Sequence, residues 1–254
     1  MNIIEHENNE LKVKKIDMKC DNVLCEDFAP PLNSFRSGFN MCVIGPSGSG
    51  KTNYLVSLLT QGKKDKKQIG FRNVFNNIFV VSPSLHTLKK NIFEDIDDEW
   101  KAKELSVEVL EMYEDLCEEA KEDAMENDEE EPMNLLILDD CGNTIRKHPD
   151  IERKLNEVVD NRRHKSNTSI IMLLQSTRQI PPKIRSNMTH LVCFQLKSLA
   201  EKEHVFEWTG KKKKYMDDFY DFIFRKPHDT LLIDLTLQSG RFKFYRNFNL
   251  LEFK

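Results

Sequence analysis

The stretch Gly45-Pro46-Ser47-Gly48-Ser49-Gly50-Lys51-Thr52 constrains the chain more than any other. It fits G-x-x-x-x-G-K-[ST] and follows the apolar run Phe39-Asn40-Met41-Cys42-Val43-Ile44, so the order is buried strand, glycine-rich loop, helix. Glycines let such a loop curl until successive backbone N–H groups face inward, and the helix start adds the positive end of its dipole. That is a cradle for the phosphates of a nucleoside triphosphate such as ATP. Lys51 is placed to reach the β- and γ-phosphates, and the Thr52 hydroxyl to ligate Mg²⁺. Tyr54, Leu55, Leu58 and Leu59 then recur at helical spacing, as a helix packed on a sheet requires.

The 254 residues, 39% of them hydrophobic, suffice for one sizeable α/β domain with an appendage. A net charge of only -4 gives no global attraction for polyanions, so any nucleic-acid contact has to be local. Cys20, Cys25, Cys42, Cys117, Cys141 and Cys193 are scattered without C-x-x-C pairs, which fits reduced surroundings and free thiols packed as small hydrophobes. Cys20 and Cys25 have no second pair at metal-site spacing. Residues 1–7 show neither a basic nor an apolar signal region, and no apolar run approaches the ~20 residues of a membrane span, so no export and no membrane span are expected.

Residues 1–38 read as an N-terminal lead-in with a candidate edge strand at 11–19, and residues 39–254 as the nucleotide-binding domain. Ala29-Pro30-Pro31 separates the two. The basic stretch 61–67 is either a solvated loop or a nucleic-acid contact. Asn77-Ile78-Phe79-Val80-Val81-Ser82-Pro83 is a second buried strand ended by proline. Over residues 91–131 an acidic helical insert is expected, with Trp100, Leu105, Val109, Tyr113, Leu116 and Ala120 as its apolar stripe. Its carboxylate-rich end, 118–131, belongs outside, away from any phosphate.

Leu135-Leu136-Ile137-Leu138-Asp139-Asp140 is a buried strand that delivers two carboxylates at its end. Downstream of a phosphate loop, Asp139 is placed to hold Mg²⁺ and Asp140 to act as general base on the attacking water. After a helix over 151–160, Ser169-Ile170-Ile171-Met172-Leu173-Leu174 carries Gln175 at its end, and in a parallel sheet Asp140 and Gln175 share one crevice. Gln175 either senses the γ-phosphate and orients water or is an ordinary polar strand terminus. Arg163, Arg178 and Arg185 flank this strand and are candidate arginine fingers. Beyond the strand 190–196, the run Lys211-Lys212-Lys213-Lys214 is a solvated turn or a phosphate-backbone contact. A terminal hairpin is expected over 230–248, with Phe242, Phe244 and Phe248 packed inward or, alternatively, forming a stacking platform for bases.

Together these residues resemble the virion DNA-packaging ATPases of poxviruses, other large double-stranded DNA viruses and virophages, a branch of the FtsK–HerA superfamily of ring translocases. The similarity runs from about residue 39 to about residue 204. It rests on the GPSGSGKT loop, the Leu-Leu-Ile-Leu-Asp-Asp-Cys-Gly strand and turn, Arg163-His164, Gln175-Ser176-Thr177-Arg178 and Arg185-Ser186-Asn187-Met188-Thr189-His190. The resemblance implies an α/β fold: a RecA-like P-loop NTPase core with a mainly parallel central sheet flanked by helices, here with a C-terminal β-hairpin. It implies ATP and Mg²⁺ as ligands, with Lys51 and Thr52 binding nucleotide and metal, Asp139 completing the metal shell, Asp140 activating water and Gln175 sensing the γ-phosphate. Arg163 is the first choice for a finger acting on a neighbouring subunit. It further implies a homo-oligomeric, hexameric ring that pulls double-stranded DNA into a preformed capsid, a capsid or portal-vertex partner, and residence in the host cytoplasm, viral factory or virion. The acidic stretch before Asp139 departs from the family pattern, and the C-terminal stretch shows no obvious winged-helix DNA reader of the kind found in bacterial chromosome pumps. Two other readings are a helicase or AAA+-like remodeller and a nucleotide-gated virion scaffold. The first would carry a helicase motif series or helical lid, and the second has no need of Asp140.

Overall fold

A computed structural model of the chain describes residues 24–83, 93, 96–236 and 242–252. The expected edge strand at 11–19, Cys20 and the turn of the terminal hairpin lie outside the described residues. The elements in chain order are β1 (Asn40–Ile44), α1 (Lys51–Thr60), β2 (Lys63–Lys64), β3 (Lys67–Gln68), β4 (Asn77–Val81), β5 (Lys101–Ala102), α2 (Val107–Glu126) and β6 (Asn134–Asp139). Then come α3 (Gly142–Lys147), α4 (Pro149–Asn161), β7 (Thr168–Leu174), α5 (Pro182–Ser186), β8 (His190–Cys193), α6 (Leu199–Glu207), α7 (Met216–Ile223), β9 (Leu231–Asp234), β10 (Lys243–Arg246) and β11 (Asn249–Leu251).

Nine of these strands form one sheet in the order β11-β10-β9-β8-β1-β7-β6-β4-β5. From β5 to β8 the pairing is parallel, and β9, β10 and β11 add an antiparallel end. The parallel strands are covered on both faces, which is why they read as continuous apolar runs. Met41 and Val43 point to one face, against Leu55 and Leu58 of α1 and the rings of Phe28, Phe35, Phe39 and Phe71. Cys42 and Ile44 point to the other, where Tyr113, Leu155, Val158, Phe206 and Tyr220 pack.

Register fixes what meets at the carboxyl ends. Ile44 pairs with Leu174, and Asp139 with Leu173, so β1, β7 and β6 finish level with one another. β7 lies between the strand that feeds the phosphate loop and the strand that ends in Asp139. The residue following β7, Gln175, therefore emerges between the two.

The 91–131 segment differs from the expected long helix. Asp98–Trp100 is a 3-10 turn and Lys101–Ala102 pairs with Val80 and Val81 as an edge strand. The helix starts only at Val107, because the Ser106 Oγ accepts the Val109 N–H at 3.2 Å and caps it. Trp100 and Leu105 thus precede the helix, and its buried face is Leu110, Tyr113, Glu114, Cys117 and Ala124. Buried Glu114 is paired with Lys154 of α4 at 2.7 Å and with Lys165 at 3.4 Å, tying α2 to its neighbour. The acidic end of α2 is exposed at the amino ends of the strands, opposite the phosphate loop.

The basic stretch 61–67 folds into most of the two-stranded antiparallel β2–β3 ribbon, which ends at Gln68. The expected C-terminal hairpin is present as β9 and β10, and β11 extends it by one more strand. Thr189 and His190, from the narrowest part of the sequence resemblance, are structural here. The Thr189 hydroxyl accepts from the Asn40 N–H, and His190 is fully buried, stacks on Phe35 and contacts the Ser34 hydroxyl at 3.0 Å.

Candidate nucleotide site

The phosphate loop leaves β1 with the Gly45 N–H bonded to the Leu174 carbonyl at 3.1 Å, which holds its first residue to the end of β7. Two of its glycines are needed for their backbone: Gly48 has φ +75° and Gly50 φ +106°, in the left-handed region. A side chain at Gly50 would also meet the His228 ring, at 3.0 Å from Nδ1. Helix α1 begins at Lys51, so its unpaired N–H groups and positive dipole end face the loop. The Ser49 hydroxyl oxygen is buried and has no hydrogen-bond partner among the described residues, a polar atom that a phosphate oxygen would satisfy.

Lys51 Nζ donates to the Gly45 carbonyl at 2.8 Å and the Pro46 carbonyl at 3.2 Å, so the ammonium lies over the loop. Burial pushes its pKa down, and the charges of Asp140 and Asp139 oppose that shift. Asp139 Oδ2 accepts from the Ser82 hydroxyl at 2.8 Å. Asp140 has φ +54°, a turn conformation that Asp tolerates better than most residues, and its N–H is held by the Leu173 carbonyl at 3.2 Å. Its carboxylate accepts the Gln175 side-chain amide at 2.8 Å. The Gln175 backbone N–H is bonded to Gln179 Oε1 at 2.7 Å, and the Gln179 amide donates to Asn143 at 3.0 Å. A chain of amides thus fixes the backbone from which Gln175 reaches Asp140.

Ser47, Gly48, Gly50, Lys51, Thr52, Asn53, Asp139, Asp140, Gln175 and His228 line a single cleft of about 350 Å³. The cleft falls within the range of small-molecule sites. The donor set fits Mg²⁺, a hard cation that takes oxygen ligands: the Thr52 hydroxyl and the Asp139 carboxylate both line this cleft. Among the described residues no group of three or more His, Cys, Asp and Glu residues forms a metal cage.

The three arginines separate. Arg163 lies at the amino ends of the strands, away from the cleft of its own subunit. It is exposed beside Gly38, ahead of β1, and the carbonyl of its neighbour Arg162 accepts from the first residue of β7. The segment before a parallel strand lies at the amino ends, whereas the phosphate loop follows the carboxyl ends. Arg185 is partly buried, bonded to the Ile180 carbonyl at 3.2 Å. Arg178 is exposed in the 3-10 turn directly after Gln175, at the same strand ends as the cleft.

Two residues that contact the site escape a reading of the sequence. Ser82 follows β4 as Asp139 follows Leu138, the partner of Val81, and its place one residue past the apolar run could have pointed to it. His228 had no local signal. It arrives from the turn between α7 and β9, where Asp229 is fixed by Arg246 at 2.7 Å and Asn247 at 2.6 Å. Burial alone would raise the Asp229 carboxyl, but the hydrogen bonds from Asn247, Arg246 and the Lys226 N–H hold it down at about 2.

The fold and this cleft are those of a P-loop nucleotide-binding domain of the α/β class, with phosphate loop, strand-end carboxylates and glutamine on adjacent strand ends. Within that class, the chain belongs to the family described as Poxvirus A32 protein, whose profile matches residues 32–217. It is 30% identical over 196 residues to the DNA packaging protein OPG160 of Vaccinia virus (strain Copenhagen) and to that of Variola virus. Each match takes in 73% of this chain and 63% of the relative, so the chain spans less than two thirds of their length. Among solved structures, B204, the DNA-packaging ATPase of Sulfolobus Turreted Icosahedral Virus, superposes with a TM-score of 0.50 at 13% identity, covering 82% of this chain and 97% of B204. At that identity the likeness is one of fold.

Proposed function

We propose that this chain is a Mg²⁺-dependent ATPase that translocates double-stranded DNA and packages a viral genome into a preformed capsid. The observation that carries the reading is the meeting of Asp140 and Gln175 in one cleft with Lys51 and Thr52. Membership of the Poxvirus A32 family, whose relatives are named DNA packaging proteins, supports the choice of DNA as the load.

In this mechanism the backbone of residues 45–52 holds the phosphates and Lys51 gives up its loop carbonyls for phosphate oxygens. Thr52 and Asp139 would hold Mg²⁺, which would supply positive charge against the phosphates when bound. Asp140 takes the proton of the attacking water, and the Gln175 amide keeps that carboxylate aimed and registers the γ-phosphate. For the arginine that reaches a neighbour's cleft, Arg178 replaces Arg163 as first choice because it is exposed at the cleft's own end of the sheet. Loss of the γ-phosphate contacts relaxes the subunit interface and shifts the DNA-facing loops. Contacts to the duplex are to its phosphates and indifferent to sequence.

The working assembly is a homo-oligomeric, hexameric ring at a capsid vertex, in the viral factory or virion. No helix among the described residues is long and apolar enough to cross a membrane. The test is ATP-dependent displacement of a triplex-forming oligonucleotide from a long duplex, with particle mass measured at the same concentration. Displacement by a ring-sized species supports a translocase. Strand separation without displacement would indicate a helicase instead.

A further inference from the structure

His228 reaches the phosphate loop from the far end of the chain. Its Nδ1 lies 2.7 Å from the Ser49 carbonyl, and a carbonyl only accepts, so Nδ1 carries the proton and donates. The ring sits where glycine at position 50 leaves room, since a Cβ there would come within 3.0 Å of Nδ1. The backbone of His228 is itself in the left-handed region, φ +67°, which costs free energy for a residue of this kind. The turn is nevertheless over-determined. Asp229, next in the chain, is bonded to Arg246 and Asn247, and Asn247 Oδ1 in turn accepts the Thr230 N–H at 2.8 Å. The same C-terminal strands supply Phe248, whose ring stacks on Tyr54 of α1 with centroids 5.7 Å apart. The antiparallel end of the sheet therefore grips the loop at Ser49 and the following helix at Tyr54.

From this geometry we infer that His228 is a positioning residue for the nucleotide: its Nδ1–H pins the Ser49 peptide so that the loop's N–H groups are held ready for phosphate. The imidazole also lines the cleft. It acts through the loop and takes no part in proton transfer. Preorganising the loop lowers the ordering cost of binding, so the effect falls on affinity and KM and leaves kcat in place. This inference rests on the nucleotide-binding reading of the cleft.

The test uses two variants. His228→Gly deletes the donor while relieving the left-handed backbone, so it removes the hydrogen bond without adding strain. His228→Asn keeps an amide donor close to the Nδ1 position and also tolerates that backbone. Titration of the full chain with a fluorescent ATP analogue and Mg²⁺, beside Lys51→Ala and thermal melting, reads the effect. The expected result is affinity about three- to tenfold weaker for His228→Gly, recovery in His228→Asn, and an unchanged melting temperature. Parent-like affinity in His228→Gly while Lys51→Ala has lost binding would overturn the role of His228 alone. Failure of the parent to bind the analogue would overturn the nucleotide reading and this inference with it.

Discussion

The side-chain amide of Gln175 donates to the carboxylate of Asp140 across 2.8 Å, joining the ends of two strands that are neighbours in space but separated in sequence by α3 and α4. That hydrogen bond requires Asp140 to be the acceptor. It orients the carboxylate that the mechanism uses as base.

Asp140→Asn keeps the shape of the side chain and removes its basicity. ATP should still bind and particle mass should stay unchanged, while steady-state turnover falls on the order of 10²- to 10⁴-fold. Rapid-quench single turnovers distinguish a slowed chemical step from a slowed release of product.

Gln175→Ala should lower kcat by on the order of 10²-fold with little change in KM, because it removes a donor that matters most as charge develops. Gln175→Glu should be at least as damaging, since it sets a second carboxylate against Asp140. A Gln175→Ala enzyme with parent kcat would show the amide to be an ordinary strand terminus.

Arg178→Ala should turn over about 10³-fold more slowly if its guanidinium serves a neighbour. Mixing it with Lys51→Ala subunits should recover part of the activity, because mixed rings pair an intact cleft with an intact arginine. Arg163→Ala in the same assay should be close to the parent.

His190 gives a pH signature. Burial pushes its imidazole down from 6.5 to about 4, with the Asp234 carboxylate opposing the shift. The folded chain keeps this group neutral while the unfolded chain protonates it, so the unfolded state binds more protons throughout that window. The contribution of His190 to stability is therefore complete above about pH 6.5 and lost as pH falls toward 4. Urea unfolding across this range should show that decline, and His190→Gln should flatten it.

How much of this the sequence carried depended on how local the signal was. β1, β4, β6 and β7 are buried on both faces, so each stands out as an apolar run. Asp139, Asp140 and Gln175 could be found because each sits at or immediately beyond such a run. β5 is two residues long and exists only through its register with β4, so no composition marked it. The start of α2 was hidden among charged residues, where only the Ser106 cap decides it. That Arg163 lies at the amino ends was legible too, because it precedes a parallel strand, but which neighbour it faces was not. His228 lies 179 residues from the carbonyl it contacts, and nothing short of the fold brings the two together.

The most direct test is ATP hydrolysis by the purified chain with and without long duplex DNA, run beside Lys51→Ala. The prediction is turnover that rises with duplex and disappears in the variant. Turnover that persists in Lys51→Ala, or that is the same with and without DNA, would contradict a DNA motor driven from this cleft.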